Sequence, residues 1–198
     1  MEIDDLPYEK IKSLLKEDHI EISLNLRVGA LFLIIYENLK ELVTDKVKSF
    51  FTNEWEIVDG ELVGKPDSKF GEIVRGKSVF RACRDFHLEL GAITIEDDEL
   101  ISRFSKYRGE VAHELYAFLL DDKKAGLDIE LLFEANRLAT KIDRWWILEF
   151  EMAIDPEFIN EKIDEDQVIS GRQLFINQLI RVALKDVLDS AEKATNEA

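Results

Sequence analysis

The sequence predicts an all-α bundle of five to seven helices with one small inserted β-hairpin near residues 55–63. Three observations predict it. Apolar residues recur at helical spacing along nearly the whole chain. Only 3 prolines and 9 glycines punctuate 198 residues, too few for a sandwich or barrel dense in turns. A single stretch alternates with the two-residue period of a strand. The length fits one domain over 1–198. A chain this long buries on the order of 70% of its unfolded surface, so its core needs no disulfide or metal staple.

In chain order, Leu6-Pro7 opens a short helix, with Pro7 suited to the first turn behind Asp4 and Asp5. Leu24, Val28, Leu31, Ile35, Leu39 and Leu42 form one apolar stripe of a helix running from about residue 20 to 52. Trp55 to Val58 and Glu61 to Val63 alternate on either side of Asp59-Gly60, a two-residue hairpin signal. Gly64 to Gly71, with Pro66, reads as a loop. Leu100, Phe104, Tyr107, Val111, Leu115 and Phe118 give the core face of a helix in 96–120. Leu131, Ala135, Leu138, Ile142 and Trp145 do the same over about 127–153, where Pro156 stops the helix. Leu174, Ile180, Ala183 and Val187 mark a last helix that begins near Ser170, and residues 190–198 are polar enough to fray.

Composition excludes several classes. The N-terminus is acidic, without the basic-then-apolar build of a secretory signal. The longest apolar run, Val28 to Tyr36, is far short of the roughly 20 residues a bilayer span needs. A cytoplasmic chain with no membrane partner is the expectation. Cys83 is the single cysteine, which excludes an internal disulfide and a thiolate-built zinc site. His19, His87 and His113 are too scattered for a zinc triad, so no metal or other cofactor is expected. Cys83 and His87, at i and i+4, share a helix face, and Cys83, flanked by Phe80 and Phe86, reads as a buried structural thiol, while Trp145-Trp146 reads as a core or subunit anchor.

The formal charge of −16 opposes any broad electrostatic grip on a polyanion. Local charge differs. Residues 73–88 and 101–109 each carry a net +3, separated by a stretch of −5 that includes Glu96 to Glu99. Lys77, Arg81 and Arg84 have 4-3 spacing on one helix face, and Arg103 and Lys106 lie in the second island. Such residues are either a solvated face balanced by nearby acids or a stripe that docks phosphates.

On the 96–120 helix, Gly109, His113, Tyr116 and Leu120 form a second stripe nearly opposite the core face. A helix with two such faces lies between neighbours, and the second neighbour can be another subunit. Arg108 comes five residues before His113, about 140° around the helix. Glu110 and Glu114 flank the histidine.

The segment from Tyr107 through Arg108, Gly109, Glu110, Val111, Ala112, His113 and Glu114 to Leu115 resembles the Arg-x4-6-His motif of HEPN domains. These are all-helical bundles, many of them metal-independent endoribonucleases of toxin–antitoxin, abortive-infection or other anti-phage systems. The resemblance implies catalysis by Arg108 and His113 in a composite site at a homodimer interface, here the Gly109/His113/Tyr116/Leu120 face. Glu110, Glu114 and Tyr116 are the accessory candidates. It also implies an RNA substrate and a cognate antitoxin or other protein partner. Gly109 departs from the polar residue that usually follows the arginine. Leu115 stands where some members have a tyrosine, and Tyr116 comes one place later.

The residue types suit the chemistry. Histidine titrates near neutrality and can take the proton of a 2′-hydroxyl. Arginine offers a fixed cationic fork to phosphoryl oxygens. The other expectation for the same fold is a catalytically silent HEPN-like module that binds a protein, which Gly109 and the acidic charge favour.

Overall fold

A computed structural model of the chain describes residues 20–120, 126–156, 158 and 162–185, without the side chains of 20, 21, 116, 119 and 120. Among them are six α-helices and one antiparallel hairpin: α1 (Ile20–Phe50), β1 (Thr52–Val58), β2 (Glu61–Pro66), α2 (Ser68–Ile73), α3 (Val79–Leu90), α4 (Ile95–Leu120), α5 (Ile129–Trp146) and α6 (Gly171–Ala183). The all-α bundle with an inserted hairpin is therefore the fold of the chain. The short helix expected at Leu6-Pro7, Val187 and the tail 190–198 lie outside the described residues.

Helix α1 is the axis of the bundle. Its 31 residues extend about 46 Å at 1.5 Å per residue, and it packs against α3, α4, α5 and α6. The predicted stripe is what it buries: Val28, Leu31, Ile35, Leu39 and Leu42, joined by Phe32, Val43 and Val47. By length and composition, Ile22–Phe50 is the one candidate membrane span among the described residues, yet its most apolar stripe is spent on this core. Gly29 lets α4 approach, since a Cβ there would lie 2.9 Å from Cδ1 of Leu115.

The starts of α2 to α6 each have a chemical cause. The Asp67, Ser78, Asp128 and Ser170 side chains accept backbone N–H bonds at the starts of α2, α3, α5 and α6. Thr94 and Asp97 cap α4 reciprocally, at 2.8 and 3.2 Å. Helix α5 ends in a π-helical turn over Ile147–Glu151, so the regular helix stops at Trp146, short of the expected 153. There Phe50, Phe86, Trp146 and Phe150 pack as an aromatic cluster.

Two further expectations differ from the fold. Gly64 to Gly71 is not one loop. Gly64 to Pro66 complete β2, and Asp67 then nucleates α2 by accepting from the amides of Lys69 and Phe70. Leu174 is not a core residue of the last helix, being 59% exposed. Ile176, Ile180 and Leu184 form the buried stripe instead.

Candidate functional site

The basic islands are built together with the acids between them. Lys77 meets Asp85 at 2.7 Å, and Arg81 bridges Asp85 at 2.8 Å and Asp98 at 3.3 Å. The hydrogen bond from Lys77 holds the Asp85 carboxyl below its ordinary value, with Arg81 adding to the effect. Arg84 is buried. Its guanidinium donates to the Asp98 carboxylate at 2.6 Å, the Asp98 carbonyl at 2.7 Å and the Ser102 hydroxyl at 2.6 Å, tying α3 to α4. Arg103 pairs with Glu134 of α5. Lys106 is the most open of the five, 84% exposed and 3.9 Å from Glu110.

Arg108 leaves α4 toward α1. One terminal nitrogen donates to Glu37 at 2.9 Å, and the guanidinium carbon lies 4.6 Å from the centre of the Tyr36 ring. Its Nε is buried without a hydrogen-bond partner among the described residues, while the side chain as a whole stays 31% exposed. Glu37 is shared with Lys40 at 3.3 Å. Neither Tyr36 nor Glu37 is a candidate in the sequence. Both belong to the outer side of a core helix, and only the packing of α4 on α1 brings them to Arg108.

His113 is exposed, one and a half turns further along α4. No hydrogen bond or ion pair joins it to another described residue. Gly109 leaves space beside it, for a Cβ there meets nothing within 4 Å. Glu110 and Glu114 are exposed on the same helix, and the Tyr116 side chain lies outside the described residues. Arg108 and His113 thus occupy one helix at different angles. The arginine is held against α1 and the histidine faces outward. A single copy presents one cation held against α1 and one exposed histidine on the same helix.

The other histidine of the region is structural. His87 is fully buried, with Nδ1 2.7 Å from the Cys83 carbonyl and Nε2 accepting from Trp146 at 2.8 Å. Burial pushes the Cys83 thiol up to about 11, with the Asp45 charge adding to it, so it stays a protonated core group. Among the described residues no three His, Cys, Asp or Glu side chains converge as metal ligands. No family model, curated protein or solved structure matches the chain.

Proposed function

We propose that the chain is a HEPN-type endoribonuclease that acts as a homodimer without a metal ion, in a toxin–antitoxin or anti-phage setting. The observation that supports it most is the state of Arg108: fixed by Tyr36 and Glu37, part-exposed, and one and a half turns from an open His113. An ion pair with this much exposure is worth only about 0.2–1 kcal/mol, so a phosphate can compete with Glu37 for the guanidinium. His113 takes the proton of a 2′-hydroxyl and the freed oxygen attacks the adjacent phosphorus. Arg108 stabilises the charge on the phosphoryl oxygens. The bond to the 5′-oxygen then breaks, and that oxygen gains a proton from the second copy's histidine, leaving a 2′,3′-cyclic phosphate and a 5′-hydroxyl.

Cleavage of single-stranded RNA in EDTA tests this. Wild type is expected to cut, and Arg108→Ala and His113→Ala are each expected to lose about 10²–10⁴-fold in rate. Full activity in either variant would remove that residue from the site.

A second reading is a HEPN-like module that binds a protein and cleaves nothing. The pairing of Lys77, Arg81, Arg84, Arg103 and Arg108 with carboxylates favours it, because such cations have little charge left for a phosphate chain. Under that reading wild type forms its complex and leaves RNA intact.

A further inference from the structure

Among the described residues, a cationic concavity lies away from the Arg108 motif. Between α5 and α6 runs a groove of about 500 Å³, within the size range of small-ligand sites. Arg137, Lys141 and Arg144 line it from α5 and Arg181 from α6, and among the described residues no carboxylate does. Acids outside the groove hold two of the four: Asp97 pairs with Lys141, and Asp166 with Arg144 at 3.2 Å. Asp166 is 94% exposed, so solvent screens that pair. The nearby Glu134 is taken by Arg103. Arg137 and Arg181 are exposed and have no carboxylate partner among the described residues. Two arginines at one groove without an ion pair among the described residues stand out in a chain of net charge −16.

The remaining lining fits the same ligand. The Asn177 side-chain oxygen accepts from Asn136 at 2.9 Å and from Gln173 at 3.2 Å. Asn177 itself lines the groove. At one end Phe133, half-buried against the core, supplies an aromatic wall. Guanidinium forks match phosphate oxygens, and an aromatic face takes a base of any identity.

We propose that the groove between α5 and α6 binds a nucleotide unit, its phosphate on Arg137 and Arg181 and its base against Phe133. The unit is either part of an RNA strand or a free nucleotide. The proposal stands apart from catalysis by Arg108 and His113, since no groove residue belongs to that motif.

Fluorescence anisotropy of a labelled 2′-O-methyl RNA oligomer, which cannot be cut through its 2′-oxygens, tests binding separately from cleavage. Wild type is expected to bind, and Arg137→Glu with Arg181→Glu to bind at least tenfold more weakly. The log–log salt slope should fall by about 0.7 for each phosphate that no longer meets an arginine. Both positions are exposed, and an unchanged melting curve verifies the fold. Phe133→Leu keeps the apolar packing, removes the ring and is expected to weaken binding several-fold. Competition by ATP or AMP identifies a free nucleotide as the ligand; competition by RNA alone identifies the strand. No binding of either, or binding unchanged in the double variant, would overturn the proposal. So would inorganic phosphate competing as well as ATP. Failure of the nuclease reading registers only in the EDTA cleavage assay.

Discussion

Trp146 donates its indole N–H to Nε2 of His87 at 2.8 Å, and that bond fixes the state of the imidazole. Nε2 must be unprotonated to accept, so the ring hydrogen sits on Nδ1 and donates to the Cys83 carbonyl at 2.7 Å. Burial lowers the ring's affinity for a second proton, outweighing the carbonyl's opposing effect. The sign follows. In the unfolded chain the imidazole takes a proton below about 6.5, whereas in the fold it resists. The contribution is complete above that pH and is lost as pH falls through the depressed folded value. Unfolding free energies between about pH 5 and 7.5 are therefore expected to rise with pH for wild type, with up to about 1.4 kcal/mol per unit from this group. His87→Leu should remove that contribution to the slope and cost about 1–3 kcal/mol at neutral pH by stranding the indole N–H. An unchanged slope in the variant would assign the pH dependence to other groups.

At the scale of elements, the hairpin and the core helices make opposite contributions. Asp59 and Gly60 both have positive φ, 53° and 87°, the geometry of a two-residue turn that a glycine adopts without strain. Trp55, Ile57 and Leu62 share one face by register and are all more than 60% exposed. The hairpin therefore projects from the bundle and buries little. Gly60→Ala places a Cβ in the left-handed region at about 1–2 kcal/mol, and that cost is expected to stay local. Hairpin amides should exchange faster while the main melting transition moves by no more than about 2 °C. Phe32→Ala, by contrast, empties a site that is 0% exposed and stacked on Phe104, and should cost about 3–5 kcal/mol. Equal shifts in the two variants would make the hairpin part of the core.

These same elements mark how far the sequence can be read. Asp59-Gly60 and Ser170 carry their meaning in two or three residues, and the α1 stripe repeats often enough to declare its period. Helix α2 spans six residues, too few for a period to emerge, and it follows Pro66 closely and contains Gly71. Leu174 and Ile176 are both apolar, and only the docking of α6 on α1 and α5 decides which is buried. The same limit governs the sites. Arg84 shares a sequence face with Arg81, yet Asp98 from the next helix draws it inward. Arg137 and Arg181 are 44 positions apart and become one groove through packing alone. The motif residues Arg108 and His113 are local and so legible in sequence, whereas Tyr36 and Glu37, which hold the arginine, come from another helix.

For the molecule as a whole, charge sets the conditions under which two copies can meet. Each carries −16, so bringing them together at low ionic strength costs repulsion that salt screens beyond about 10 Å at 0.1 M. RNA binding through arginines has the opposite dependence, because salt ions compete for the phosphates. The proposed homodimeric nuclease should therefore dimerise more tightly as salt rises while binding RNA less tightly. Its cleavage rate near the dimer dissociation constant should peak at an intermediate salt concentration. Gly109→Arg separates dimerisation from folding. A Cβ at this position meets nothing within 4 Å in one copy, and arginine is a better helix former than glycine by several tenths of a kcal/mol. The variant is expected to melt no lower than wild type, to sediment as a monomer where wild type is a dimer, and to lose RNA cleavage with it. A wild type that stays monomeric at every salt concentration, or a monomeric Gly109→Arg that still cuts RNA, would rule out a composite site on α4.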